Sequence, residues 1–243
     1  MDANVQPLAE DCLTQRDGSL PRRWDAFDAY LFDVDGTLLT CGDAVHYFAF
    51  CEALKTLSGR ELNLDGVIAH GNTDTGILRD ALNLAGIRES SWRPQLSAAC
   101  DGMCAYVERN RERVCASVLP GVVEVLERLR SRQAIVGVAT GNLKGIGSIK
   151  LECGDLLRYL DFQAFSDGFE DRADVYSRAV EKVRVLAGKR AAICAVGDTP
   201  ADIRAARHHG IHVIAVATGI HSREQLSAEQ PDLLLGSMSE LLR

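Results

Sequence analysis

The 243-residue chain is 47% hydrophobic and 25% charged, enough for an ordinary globular core in one large domain or two modest ones. With 27 Lys and Arg against 34 Asp and Glu, its net charge of −7 argues against sequence-independent nucleic-acid binding, which needs a basic surface. No apolar run approaches the roughly 18 residues needed to span a bilayer, and the eight cysteines form no CxxC pair, so reduced and mostly buried thiols are expected rather than a zinc site.

Met1 to Asp25 is polar and mixed in charge, without the basic start and apolar middle of a signal peptide. Residues 1–25 are read as a loosely held extension of a cytoplasmic protein. The run Ala29-Tyr30-Leu31-Phe32 then reads as a buried strand, and Asp33-Val34-Asp35-Gly36-Thr37 follows it. Side chains on a strand repeat every two residues, so both carboxylates point the same way. Two like charges this close repel unless a cation or a proton intervenes. Gly36 lets the backbone turn away and Thr37 adds a hydroxyl. The set suits a metal-assisted nucleophile beside a general acid/base.

From Asp43 to about Val118 the pattern is helical, with segments at Ala44 to Leu57, Asp74 to Leu84 and Ser91 to Val114, and with no convincing parallel strand. Residues 43–118 are therefore expected to form an inserted all-helical domain. After Pro120-Gly121, strands and helices alternate. Strands are expected at Ala134 to Ala139, Phe162 to Phe165, Ala191 to Val196, Ile211 to Val216 and Asp232 to Leu235. Helices are expected at Leu143 to Cys153, Asp174 to Leu186 and Thr199 to His208, the last with Pro200 in its first turn, where proline is tolerated. This alternation implies an α/β core over residues 26–42 and 119–243, a parallel sheet covered by helices on both faces.

In open sheets of this kind the site lies beyond the carboxyl ends of the strands. Those ends carry Asp33 and Asp35, then Thr140-Gly141-Asn142, then Asp167-Gly168-Phe169-Glu170-Asp171-Arg172, then Gly197-Asp198-Thr199-Pro200-Ala201-Asp202. Asp198 and Asp202 are four apart at a helix start, where the helix dipole favours acids. Four acids and a hydroxyl converging there call for a cation, and Mg²⁺ suits a set of hard oxygen ligands. His208, His209 and His212 make no comparable site, because Gly210 ends the helix between them.

These strand-end residues resemble the motifs of the haloacid dehalogenase superfamily over nearly the whole chain from Tyr30 to Leu242. Asp33-Val34-Asp35-Gly36-Thr37-Leu38 is similar to its first motif, Ala139-Thr140-Gly141-Asn142 to its second, and Gly197-Asp198-Thr199-Pro200-Ala201-Asp202 to its fourth. The helical insert resembles the cap of the phosphoglycolate phosphatase and β-phosphoglucomutase branch. The resemblance implies a Rossmann-like, doubly wound parallel sheet core with an inserted helical cap domain. It also implies Mg²⁺-dependent hydrolysis of a small phosphorylated metabolite, phosphoglycolate by family default. Asp33 would be the nucleophile and Asp35 the acid/base. Asp33, the backbone carbonyl of Asp35, and Asp198 would hold Mg²⁺, with Asp202 supporting.

Thr140, with Gly141 and Asn142, would hold phosphoryl oxygens. The third motif departs from the usual lysine: Arg172 stands in its region, and Lys144 and Lys150 are alternatives, Lys150 otherwise reading as a solvated or helix-packing side chain. His70-Gly71-Asn72-Thr73-Asp74 resembles a substrate-facing cap loop, giving Thr73 and Asp74 as candidate contacts, although the residues equally permit a plain helix start capped by Asn72 or Thr73. His46 is a further candidate contact or an ordinary helix residue, and Cys41 is a spectator thiol. A sugar-phosphate mutase and a catalytically silent module on the same fold are the competing readings. No nucleic-acid or membrane partner is expected, and the chain is expected to be a monomer or homodimer.

Overall fold

The structure, a computed structural model, describes residues 22–243. Most of the extension expected over residues 1–25, and Cys12 with it, lies outside the described residues. In chain order the elements are β1 (Ala29–Phe32), β2 (Leu39–Cys41), α1 (Val45–Ser58), α2 (Asp74–Leu84), α3 (Glu89–Trp92), α4 (Leu96–Arg109), β3 (Ala116–Val118), α5 (Val122–Ser131), β4 (Ile135–Ala139), α6 (Lys144–Cys153), β5 (Phe162–Ala164), α7 (Arg172–Ala187), β6 (Ile193–Gly197), α8 (Pro200–His208), β7 (His212–Val216), α9 (Arg223–Ala228) and β8 (Leu233–Leu235).

Six strands form one parallel sheet in the order β5-β4-β1-β6-β7-β8. Apart from Gln163 and His212 its strands are apolar, because both faces are covered. On one face Tyr30, Phe32, Val136, Val138, Cys194, Val196, Ile214 and Val216 pack against the α5 stripe of Val122, Val125, Leu126 and Leu129. On the other face Ala29, Leu31, Ala139, Ile193, Ala195, Val213 and Ala215 pack against α7 and α8. The period of two along each strand thus sorts alternate residues to opposite cores. Burying the four α5 side chains contributes about 6–12 kcal/mol, at ~1.5–3 kcal/mol each. β1 is flanked by β4 and β6, so the chain leaves it to one side and later returns to the other. That reversal opens a crevice at the carboxyl end of β1, where Asp33 and Asp35 sit.

The segment between β2 and β3 holds α1 to α4 around a separate apolar cluster that includes Phe50, Leu54, Leu78, Leu82, Trp92 and Met103. Leu143, Ile146 and Ile149, on and just before α6, belong to the same cluster, so this segment is seated on α6. Two details differ from the sequence expectation. Ser91 to Val114 is not one helix: Pro94, which has no N–H to donate, sits in a tight turn over Arg93–Gln95 that separates α3 from α4, and α4 ends at Arg109. The segment is also not all helix at its end. β3 pairs antiparallel with β2, so the two chain passages into and out of it form a short ribbon. Strands this short carry too little periodicity to be seen in sequence. Among the described residues, no helix is long and apolar enough to cross a membrane.

Candidate active site

Asp33 follows β1 directly, and its side chain is buried between the ends of β1 and β6. Asp33, Asp198 and Asp202 each offer a carboxylate oxygen within 4.8 Å of the others. Burial pushes the Asp33 carboxyl up to about 6, with the neighbouring Asp202 and Asp35 charges adding to the rise and Arg172 opposing it. Burial, then the charges of Asp33 and Asp202, push Asp198 up to about 8. Three carboxylates crowded out of water are a misfit for protons alone and a fit for a hard dication.

The backbone keeps room for Asp198 in particular. A Cβ at Gly219 would overlap Asp198 Oδ2 and lie 2.8 Å from its Cγ, and a Cβ at Gly36, where φ is +82°, would also overlap Oδ2. Thr37 Oγ1 donates to Asp198 Oδ1 at 2.7 Å and fixes the carboxylate plane. The second oxygens of Asp33 and Asp198 accept no hydrogen bond from the described residues, which suits them to a cation.

Arg172, the first residue of α7, reaches across this cluster. Its Nη2 lies 2.6 Å from both Asp33 Oδ1 and Asp202 Oδ1, and its Nε lies 3.1 Å from Asp202 Oδ1. Tyr176, one turn along α7, donates to the same Asp202 oxygen at 3.2 Å. The other Asp202 oxygen accepts from the Thr199 hydroxyl at 2.7 Å and the Thr199 N–H at 3.2 Å, closing a capping box at the start of α8. Both Asp202 oxygens are therefore occupied. Its side chain anchors Arg172 and caps a helix.

Asp35 stands apart from the three-acid cluster. Its side chain is 41% exposed against 7% for Asp33, so it faces the open side of the crevice. Lys150 Nζ lies 2.8 Å from both Asp35 oxygens and 2.8 Å from Asn142 Oδ1, and Asn142 Nδ2 donates to Asp35 Oδ2 at 2.7 Å. Burial alone would raise the Asp35 carboxyl; the Lys150 charge and the Lys150 and Asn142 hydrogen bonds outweigh it and hold the group below the usual range. Lys150 is thus neither solvated nor a packing residue. The sequence marks this placement: Lys150 follows buried Ile146 by one turn and so lies on the covered face of α6. Lys144 is exposed and reaches no acid of the site.

Thr140 Oγ1 accepts from Asn142 Nδ2 at 2.8 Å, which leaves its own hydrogen to donate. The Gly141 carbonyl accepts from the Asp74 N–H at 2.8 Å and Ser166 Oγ at 2.7 Å, and a Cβ at Gly141 would overlap the Asn72 carbonyl and come 3.0 Å from Arg172 Nη1. The expected cap contacts have other work. Thr73 is the N-cap of α2, accepting from the Gly76 N–H and donating to the Glu170 carbonyl at 2.9 Å. Asp74 Oδ2 accepts from the Leu143 N–H at 2.8 Å. Both are buried and tie α2 to the loops that carry Thr140 and Arg172.

His46 on α1 comes within 3.2 Å of Lys150 Nζ through Nδ1 and within 3.3 Å of Asp74 Oδ1 through Nε2. Cys41 is a poor nucleophile, its thiol pushed up to about 12 by burial. His209 contacts the Ala173 carbonyl at 2.8 Å.

Comparison with known proteins bears on the family and the fold. The family model described as haloacid dehalogenase-like hydrolase matches residues 27–210. A protein of Anoxybacillus flavithermus named pyrophosphatase PpaX is 24% identical over 215 residues, spanning 87% of this chain and 94% of that one. A phosphoglycolate phosphatase of Synechococcus elongatus is 32% identical over 128 residues, spanning 52% of this chain and 58% of its own. The crystal structure of a hydrolase from Pseudomonas syringae superposes with a TM-score of 0.68 at 20% identity, covering 88% of this chain and 96% of that one.

Proposed function

Because the chain belongs to the haloacid dehalogenase-like hydrolase family, we propose that it is a Mg²⁺-dependent phosphatase acting on a small phosphorylated metabolite through an aspartyl-phosphate on Asp33. The observation that carries the reading is Asp33 itself, one oxygen held by Arg172 at 2.6 Å and the other free at the carboxyl end of β1.

A free Asp33 oxygen attacks phosphorus as the bond from phosphorus to the leaving oxygen breaks. Asp35, ionised in the free site, takes up a proton as the negatively charged phosphate binds and gives it to that leaving oxygen; it then takes a proton from the water that attacks the aspartyl-phosphate and restores Asp33. Asp33, Asp198 and the Asp35 carbonyl would hold Mg²⁺, which would supply positive charge to the phosphoryl oxygens. Arg172, 2.6 Å from Asp33 Oδ1, shares that load and holds Asp33 in place, and Thr140 donates its hydroxyl hydrogen to a phosphoryl oxygen. In phosphoryl transfer, positioning and charge stabilisation of this kind account for most of the rate.

Phosphoglycolate-like monoesters are the first substrates to try, because a relative matching half the chain is named for that activity. The test is phosphate release from a panel of phosphorylated metabolites, inorganic pyrophosphate included, with and without Mg²⁺, beside Asp33→Asn. Metal-dependent release that vanishes in Asp33→Asn supports the reading. Transfer between sugar hydroxyls that needs a bisphosphate activator would replace it with a mutase, and metal binding without turnover would replace it with a silent module.

A further inference from the structure

Lys150 is an ionised side chain only 5% exposed, placed where the proposed mechanism assigns it nothing. Burying an ammonium is costly unless each of its hydrogens finds an acceptor. Here they do: the Asp35 carboxylate, with both oxygens at 2.8 Å, Asn142 Oδ1 at 2.8 Å and His46 Nδ1 at 3.2 Å take all three. No donor remains for a substrate. Because Nδ1 accepts, the His46 hydrogen is assigned to Nε2, which faces Asp74 Oδ1 at 3.3 Å.

The acceptors come from two bodies. Asp35 and Asn142 stand at the ends of β1 and β4, whereas His46 and Asp74 stand on α1 and at the start of α2. Lys150 rises from α6, the helix on which the helical segment is seated. Asp35 is the most open of the site's acids, and its other side-chain partner is Asn142 Nδ2.

We propose that Lys150 is a positioning residue that fixes the plane of the Asp35 carboxylate toward the leaving oxygen and, through His46, makes that orientation depend on the helical segment being seated. This rests on the reading of Asp35 as the acid/base of a phosphatase. Without the lysine, Asp35 is free to turn outward to water. Lys150 then affects the chemical step and not substrate affinity, and most strongly for leaving groups that need a proton.

The experiment compares Lys150→Met with the parent on phosphoglycolate, an alkyl phosphate, and on p-nitrophenyl phosphate, whose phenolate departs unprotonated. For phosphoglycolate, kcat is expected to fall about 100-fold or more, the usual scale of general acid–base help, with KM nearly unchanged. For the aryl ester the loss should stay under about tenfold. Lys144→Met, at an exposed site, should match the parent. Should Lys150→Met fail to fold, Asp35→Asn/Lys150→Met removes both charges of the buried pair and should equal Asp35→Asn alone on both esters. Equal loss on the two esters, or further loss in the double variant, overturns the inference while leaving the phosphatase intact. A parent that releases phosphate from neither ester, nor from any member of the panel, overturns the phosphatase reading and this inference with it.

Discussion

Removing the Arg172 side chain should damage the fold and the chemistry together, by amounts that follow from its burial. The Arg172 and Asp33 side chains are each 7% exposed, and Asp202 is fully covered. Arg172→Met leaves two buried carboxylates without their cation. Breaking a buried pair from one side costs about 3–5 kcal/mol, because the charge left behind is unsolvated. For a chain of this size each kcal/mol moves the melting point by about 2–4 °C, so a fall of about 6–20 °C is expected in metal-free buffer at neutral pH. Catalysis should fall about 100- to 1,000-fold with Mg²⁺ saturating, the usual loss when one fixed charge at a transition state is removed. Arg172→Lys keeps the charge but has no rigid fork to serve Asp33 and Asp202 at once, so it should lie between the two. Arg172→Met/Asp202→Asn should recover part of the melting loss, since fewer charges are orphaned, and none of the activity. Melting by circular dichroism and phosphate release on the same preparations decide the matter. A melting point within about 2 °C of the parent in Arg172→Met would refute the account of a buried, paired cluster.

Gly219→Ala should weaken Mg²⁺ binding at least about tenfold, equivalent to ~1.4 kcal/mol, because its Cβ overlaps Asp198 Oδ2; titration calorimetry that shows unchanged affinity would refute the cradle. Asp232→Asn should cost about 1 kcal/mol at neutral pH, discounted for its partial exposure. Burial opposes ionisation there, but His212, the Val213 N–H and Arg207 outweigh it and hold the carboxyl down to about 2. A depressed carboxyl stabilises the fold above its ordinary value of 3.8 and loses that contribution as pH falls toward 2, so the gap from the parent in urea unfolding should close over that interval. A gap independent of pH would count against the assignment. Thr73→Val removes the α2 N-cap and the bond to the Glu170 carbonyl, so hydrogen exchange should quicken at residues 73–76 and 169–172 while β6 and β7 stay protected; exchange unchanged in those segments would show that Thr73 does not fasten the loop.

Much of the sheet was legible because its strands are short apolar runs and its site residues stand at their ends. Asp33 and Asp35 could be placed beyond the end of a buried strand from the apolar run before them, and Asp198 likewise, but the period of two did not predict that Asp33 and Asp35 would have separate partners, since both lie past the end of β1. What was not legible depends on distance in sequence. Asp202 reads as a second acid of a metal motif, but nothing near it in sequence shows that its oxygens also accept from Thr199 three residues back and Arg172 thirty residues back. The Thr73 and Asp74 pair reads as a loop that meets substrate, yet it meets the Glu170 carbonyl and the Leu143 N–H. Lys150 pairs with an acid 115 residues away, and only the buried turn it shares with Ile146 marks it. The helical run from Ser91 was overextended because periodicity persists across Pro94 while the hydrogen-bonding ladder does not.

The placement of the cations explains why the acids divide as they do. Asp35 has Lys150 to itself, so that corner of the crevice is neutral without help. Asp33, Asp198 and Asp202 share one guanidinium, which leaves two negative charges uncompensated in a place that water scarcely reaches. Burial and mutual repulsion accordingly push Asp198 up to about 8 and Asp33 up to about 6. A dication held there would offset the deficit and favour the ionised carboxylates. Had Lys150 pointed at Asp33 instead, the three-acid cluster would sit near neutrality with a monovalent shortfall, and its demand for a divalent metal would be weaker. The separation of Lys150 from Arg172 thus leaves one acid with its own cation beside a cluster of three that shares a single guanidinium.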